Sequence, residues 1–417
     1  MIIRRDYYLN ELIIRMNNSL IKVITGIRRC GKSYLLNKLF YDYLINKGIK
    51  EDHIIKIALD DLENIEFHNA KKLNDFIKSK LVDNENYYLF MDEVQEVKDF
   101  VPLLNGLLKI DNLDVYITGS NSKFLSNDII TEFRGRGNQV HVSPLSFKEF
   151  YEAGNLGFDK ALSDYLVYGG MPFIINRNND QMKSDYLISL YKEIYLKDIK
   201  ERYKIKNDLK MSELLDIISS SIGSLTNPTK LANTFKSVKN ISISKNTIDS
   251  YLKIFEESFL VESSRRYDIK GKKYIDSPQK YYFSDLGLRN ARLNFRQIEE
   301  THLMENLIYN ELKMRGYLVD IGTIPFSEKN EKGNYVKKQI EVDFVVNRGS
   351  QRYYIQSAYH LIDEEKEEQE IRPLINIDDL FKKIVIVRDS IKLKRNEYGI
   401  VFMSLEDFLL NNNSLDL

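Results

Sequence analysis

Gly26-Ile27-Arg28-Arg29-Cys30-Gly31-Lys32-Ser33 spells G-x-x-x-x-G-K-S, the residue types and spacing of a loop that cradles phosphates. The two glycines let the backbone curl until successive N–H groups point at phosphate oxygens, and the start of a following helix adds partial positive charge. In such a loop Lys32 reaches the β- and γ-phosphates and the Ser33 hydroxyl ligates Mg²⁺. The cradle runs from Gly26 through Ile27, Arg28, Arg29, Cys30 and Gly31 to Tyr34. Three further segments offer matching chemistry. Tyr87-Tyr88-Leu89-Phe90-Met91-Asp92-Glu93 is an apolar strand ending in two carboxylates. Asp92 is placed to hold Mg²⁺, and Glu93 to polarise the water that attacks a γ-phosphate. An Asp-Glu pair after a strand also serves as an ordinary helix cap. Val115-Tyr116-Ile117-Thr118-Gly119-Ser120-Asn121-Ser122 ends a second strand in polar groups. There Thr118, Ser120 or Asn121 could bind the water or the γ-phosphate, or simply cap the next helix. Phe133-Arg134-Gly135-Arg136-Gly137 supplies arginines that can neutralise transition-state charge, in cis or from a neighbouring subunit.

These groups need a scaffold that brings strand ends together. Apolar strand-like runs at 20–25, 54–59, 87–91, 114–118 and 139–142 alternate with helical patterns. That alternation predicts an α/β domain over residues 1–150, a parallel sheet with helices on both faces. The loop at 26–33 then joins a strand to a helix, the context its chemistry requires. Residues 151–204 read as a helical linker broken at Gly169-Gly170-Met171-Pro172. Residues 205–290 hold short helices and a Gly-centred hairpin. From 291 to 417 a helix at His302–Arg315 precedes strands at 317–321, 339–346, 352–357 and 383–387. The acidic run Asp363–Glu370 reads as a solvated helix face.

The chain has 417 residues, enough for two or three cores. Its 61 basic and 61 acidic side chains balance, so contact with nucleic acid would have to come from a local patch. A single cysteine excludes an internal disulfide and a Cys-based zinc site. With no signal peptide and no membrane-length apolar run, a cytoplasmic location is expected.

Several of these motifs together resemble a specific group. Gly-Ile-Arg-Arg-Cys-Gly-Lys-Ser at 26–33, Asp-Glu-Val-Gln at 92–95, Ile-Thr-Gly-Ser at 117–120 and Gly135-Arg136 with Ser143–Phe150 are similar to those of prokaryotic AAA-type ATPases that carry a C-terminal nuclease-like domain of unknown function. Tyr168–Pro172 and Ile194–Ile199 match the same group. The resemblance spans nearly the whole chain and implies that Arg136, rather than Arg134, is the arginine finger.

Downstream, a helix beginning at Thr226-Asn227-Pro228 and a second at Ser244-Lys245-Asn246-Thr247 have helix-turn-helix spacing. With the basic loop Arg265–Lys273 they resemble a winged helix. Bound to double-stranded DNA, Lys245, Asn246 and Thr247 would face bases, while Arg265, Arg266, Lys272 and Lys273 grip phosphates. The same module could equally serve as packing. In the last domain Glu305, Asp343 and Gln356 resemble the frame of the PD-D/E-x-K nucleases, which hold Mg²⁺ on acidic groups and position water with a lysine. Gln356 stands where the second acidic ligand belongs and Ala358 where the lysine belongs, and His360 is the one nearby basic candidate. A nuclease-like fold without nuclease activity is expected.

The sequence therefore predicts an ATP- and Mg²⁺-dependent ATPase that switches a DNA or protein partner, with a homo-oligomer left open. The alternatives are an ATP-gated DNA nuclease and a module that binds ATP without hydrolysing it. No guanine-reading Asn-Lys-x-Asp is evident, which favours ATP over GTP.

Overall fold

The structure, a computed structural model, describes residues 2–119, 137–177, 179–205, 208–329 and 335–417. The chain divides into two compact units, Met1–Pro144 with Glu257–Phe259, and Leu145–Glu256 with Leu260–Leu417.

The first unit opens with α1 (Asp6–Ile13), followed by β1 (Ile21–Thr25). The loop of 26–31 leads into a continuous helix α2 over 32–46, which is π-helical at Leu35–Phe40. There follow β2 (Ile54–Ala58), α3 (Ala70–Lys80), β3 (Tyr87–Asp92), α4 (Phe100–Leu107), β4 (Leu113–Gly119) and β5 (Gly137–His141). The five strands form one parallel sheet in the order β2-β3-β4-β1-β5. Every residue of β1, β3 and β4 is buried, as expected of parallel strands covered on both faces. Val23, Leu89, Val115 and Ile117 pack in one core with Leu73 of α3 and Leu104 of α4. All five expected strand runs are present. The strand carrying Thr118 lies between the loop strand and the Asp92 strand, with Ile24 opposite Thr118 and Met91 opposite Ile117.

One charged pair is sunk in this sheet. Lys22 is fully buried and donates to Asp114, which also accepts the Tyr116 hydroxyl at 2.8 Å and the Asn17 N–H at 3.0 Å. A buried ammonium needs such a partner, and here the partner's remaining oxygen is also satisfied.

The second unit begins with α5 (Phe147–Gly154), closed by a reciprocal Ser146–Glu149 capping box. It continues through α6 (Phe158–Tyr168), α7 (Asp180–Ser189), α8 (Asp208–Ser220), α9 (Pro228–Lys239) and α10 (Lys245–Glu257). Proline at the first turn of α9 and the Asn227 side chain, which accepts from Lys230 N–H, explain where that helix starts. Ile248, Leu252 and Phe255 put one apolar face of α10 inward. The hairpin β6 (Val261–Asp268) and β7 (Lys273–Phe283) leads to α11 (Leu286–Arg292) and α12 (Glu300–Met314). The remaining elements are β8 (Leu318–Lys329), β9 (Tyr335–Arg348), β10 (Gln351–Ala358), α13 (Glu364–Ile375), β11 (Lys382–Val387), β12 (Lys394–Arg395), β13 (Val401–Ser404) and α14 (Leu405–Leu410).

One eight-stranded mixed sheet, ordered β12-β13-β11-β10-β9-β8-β6-β7, runs through this unit. β6 joins it by parallel pairing of Arg266, Tyr267 and Asp268 with Ile321, Gly322 and Thr323 of β8. The hairpin of 261–283 and the strands after 318 therefore share one sheet across residue 290. Asp285 accepts N–H bonds from Leu288 at 2.9 Å and Gly170 at 2.8 Å, which ties the Gly169-Gly170 break to the start of α11. Among the described residues no helix is long and apolar enough to cross a membrane.

Candidate functional site

The carboxyl ends of β1, β3 and β4 bring the loop, Asp92 and Thr118 together, the position where ligands meet open parallel sheets. Gly26 has φ +142 and an added Cβ would lie 2.1 Å from the Val142 carbonyl oxygen, so only glycine fits. Gly31 begins α2 at φ 104, also in the region that favours glycine. Ile27 and Cys30 are buried anchors, and the Cys30 thiol donates to the Val142 carbonyl at 3.1 Å. Arg28, Arg29 and Ser33 are exposed, and Tyr34 is half-buried with its hydroxyl enclosed and unpartnered in the structure.

Lys32 is 4% exposed, and its ammonium donates to the carbonyls of Gly26 at 3.0 Å and Ile27 at 3.2 Å. Neutral carbonyls satisfy its donors without cancelling its charge, which suits a group that exchanges them for phosphate oxygens. Asp92 is buried at the end of β3. Burial pushes its carboxyl above the usual carboxylate range, against hydrogen bonds from Ser33 and Thr118 that pull it down. The Ser33 hydroxyl thus lies near the Asp92 carboxylate. Their all-oxygen donor set fits Mg²⁺, and a divalent ion there would restore the ionised form of Asp92.

Thr118 ties this corner together: its hydroxyl donates to Asp92 and accepts the Glu93 N–H at 3.0 Å. Glu93 itself has φ 52, an uncommon left-handed conformation for a side-chain-bearing residue, so the chain turns off the strand immediately after Asp92. Its carboxylate accepts from the Gln95 side-chain amide. Ser120, Asn121, Arg134 and Arg136 lie outside the described residues.

Two residues at this site carry no chemical role in the sequence reading. Gln95 holds Glu93, and the Glu-x-Gln spacing across a turn is the signal that could have found it. Arg5, 2% exposed, donates to the Cys30 carbonyl at 3.0 Å and the Ser143 carbonyl at 2.7 Å, clamping the loop against the end of β5. Nothing in the local sequence around Arg5 signals that contact, which spans 138 positions to Ser143.

In the second unit the residues singled out for DNA separate into two sets. Lys245, Asn246, Lys272 and Lys273 are exposed, whereas Thr247 is half-buried and its N–H and hydroxyl engage Ser244 in the cap of α10. Arg265 stacks over the Tyr274 ring at 4.2 Å. Arg266 is buried and its guanidinium donates to Gln339, so it serves the sheet. Glu305, Asp343 and Gln356 do fall in one region, on α12, β9 and β10. His360 pairs with Asp389 at 2.9 Å. The cation among the acids is instead Lys280 of β7, 4% exposed and 2.8 Å from Glu305. That lysine precedes the frame by some distance in the chain, so the spacing of the frame cannot reveal it.

Comparison with known proteins agrees with the first unit's geometry. Residues 18–151 match a family described as an AAA domain, and residues 159–299 match a domain of unknown function. An uncharacterized protein of Haemophilus influenzae is 32% identical over 390 residues, covering 92% of this chain and 93% of its own length. The uncharacterized protein MJ1544 of Methanocaldococcus jannaschii is 31% identical, covering 91% and 85%. Among solved structures, the Walker-type ATPase paby2304 of Pyrococcus abyssi aligns over 70% of this chain and 96% of its own at 16% identity and TM-score 0.49. Cdc6p of Pyrobaculum aerophilum aligns over 71% and 93% at 13% identity and TM-score 0.31. At those scores neither structure adds to the geometry. The sequence relatives carry the assignment: this chain, with an AAA-type P-loop ATPase domain at its front, belongs to the same family as the H. influenzae and M. jannaschii proteins.

Proposed function

We propose that the chain hydrolyses ATP at the loop of 26–33 and uses the nucleotide state to switch what its second unit does to a DNA or protein partner. One observation carries the reading: Lys32, Ser33, Asp92, Thr118 and Glu93, from separate stretches of sequence, meet at the carboxyl ends of adjacent parallel strands. Lys32 leaves its carbonyls for the β- and γ-phosphates, and Ser33 and Asp92 hold Mg²⁺. The ion, when bound, neutralises charge developing on the phosphate oxygens. Glu93 takes the proton of the attacking water, while Thr118 fixes Glu93 and Asp92 relative to each other. Arg136 acts as the finger. Residues 151–204 link to a winged helix over 205–290, whose hairpin shares its sheet with a nuclease-like region over 291–417, with Lys245, Asn246, Arg265, Lys272 and Lys273 as the DNA-facing set. The single, buried cysteine is compatible with a cytoplasmic setting.

Phosphate release by the full chain with ATP and Mg²⁺, with and without double-stranded DNA, tests this. Turnover is expected in the wild type and its loss in Lys32→Ala and Glu93→Gln. Rates that are equal in all three would reduce the protein to an ATP binder. Stimulation by DNA selects a nucleic-acid partner, and a flat response selects a protein.

A further inference from the structure

The acidic residues of the second unit already have a cation. Lys280 Nζ lies 2.8 Å from Glu305 Oε1 of α12 and 2.8 Å from Glu341 Oε1 of β9. Tyr282, two residues along the same face of β7, donates its hydroxyl to the same Glu305 oxygen at 2.6 Å. Asp343 accepts the Ser357 N–H at 2.8 Å. Gln356 accepts the Asp343 N–H on Oε1 at 3.4 Å and directs its amide nitrogen toward Glu370 Oε2, also at 3.4 Å. Ala358 is buried in the apolar core beneath α13.

We propose that the Lys280 ammonium is the resident cation of this cluster, standing where a nuclease of this frame needs a divalent metal, so that the centre takes no metal and fastens β7 to α12 and β9. The three carboxylates do not converge on one point as a divalent ion's ligands do. A hard divalent ion draws its oxygens to about 2.0–2.6 Å from one point. No choice of one oxygen each from Glu305, Glu341 and Asp343 brings the three within 4.8 Å of one another. Charge points the same way: the Lys280 ammonium already sits against Glu305 and Glu341, so a divalent ion entering there would meet a like charge at close range. No residue of the loop at 26–33 enters this inference, so it stands or falls apart from the ATPase reading.

The test titrates MnCl₂ into full-length, nucleotide-free protein and follows free Mn²⁺ by electron paramagnetic resonance. An Asp92→Ala background removes the candidate ion site of the first unit. With Lys280 intact, no site that Asp343→Asn removes is expected, whereas Mn²⁺ held at His53, Asp83 and Glu85 of the first unit would be indifferent to that change. Lys280→Ala should gain one site binding Mn²⁺ about tenfold or more tighter than the parent, and adding Asp343→Asn should remove it. A folded Lys280→Ala protein, judged by circular dichroism, that gains no site overturns the proposal. So does an Mn²⁺ site in the Lys280 parent that Asp343→Asn abolishes. If Lys280→Ala does not fold, the parent decides alone through a second measurement, Mn²⁺-dependent nicking of supercoiled plasmid. Nicking that Asp343→Asn abolishes overturns the inference, and absence of both nicking and Asp343-dependent binding sustains it.

Discussion

Lys32 and Lys280 are each 4% exposed and face opposite surroundings. The Lys32 ammonium is held by two backbone carbonyls, the Lys280 ammonium by two carboxylates. Carbonyls satisfy hydrogen-bonding capacity and leave the positive charge uncancelled. An incoming phosphate therefore gains a charge-assisted bond and displaces only neutral acceptors. Carboxylates complete both requirements, and an incoming cation would have to evict a partner already in place. The two lysines thus differ in what their surroundings leave unsatisfied.

The largest effects should separate the two lysines completely. Lys32→Ala and Glu93→Gln are expected to lower kcat by about a thousandfold or more, because each removes a group acting on transition-state charge or on the nucleophile. Stability should change little in either, since Lys32 gives up only hydrogen bonds to neutral acceptors. ATP binding, followed with a fluorescent analogue, should survive in Glu93→Gln. A Glu93→Gln enzyme at wild-type rate would remove Glu93 from the mechanism.

Lys280→Met should do the reverse. It leaves Glu305 and Glu341 without their cation, and breaking a buried pair by removing one partner costs about 3–5 kcal/mol. Urea unfolding monitored on the second unit should show that loss, while the folded fraction still hydrolyses ATP. A Lys280→Met protein as stable as wild type would mean that the acids were never fully ionised around it.

The first of these sites was legible in the sequence and the second only in outline. Gly26 through Ser33 is a contiguous signature whose strand and helix flanks are set by local apolar patterning, and Asp92 and Thr118 each end a run of buried residues. Burial on both faces makes such parallel strands easy to recognise, so the first unit's sheet follows almost directly. Arg5 and Lys280 were invisible for the same physical reason. Each makes its decisive contact with a residue far along the chain, through a side chain of a type usually exposed. The hairpin of β6 and β7 shows the limit for fold as well. Its Gly-centred pattern predicts a hairpin, but the parallel pairing of Arg266–Asp268 with β8 is decided by tertiary packing.

Asp285 extends the comparison to a buried carboxyl held by backbone N–H groups, those of Leu288, Gly170 and Gly287, and burial pushes it up to about 6. A carboxyl raised above its unfolded value of 3.8 stabilises the fold fully below that pH, and the contribution is lost as pH rises through about 6. The swing is roughly 3 kcal/mol, from about 1.4 kcal/mol per pKa unit. Asp285→Asn does not titrate, so the stability difference between wild type and variant should narrow by up to that amount from pH 4 to 7. A difference that is constant with pH would show that the backbone donors cancel the cost of burying the charge.

The smallest expected effect lies at Thr118, where the first site is held by a neutral hydroxyl. Thr118→Val keeps the shape of the buried side chain but strands the Glu93 N–H and takes one donor from Asp92. An unsatisfied buried N–H costs about 1–3 kcal/mol, and if that strain is relieved by a shift of Glu93, kcat should fall about tenfold. Thr118→Ser retains the hydroxyl and should stay near wild type, which separates the hydrogen bonds from the lost methyl. The affinity for ATP should hardly move, because Thr118 contacts the two acids and not the loop. If Thr118→Val turns over at the wild-type rate, the left-handed turn at Glu93 positions its carboxylate unaided.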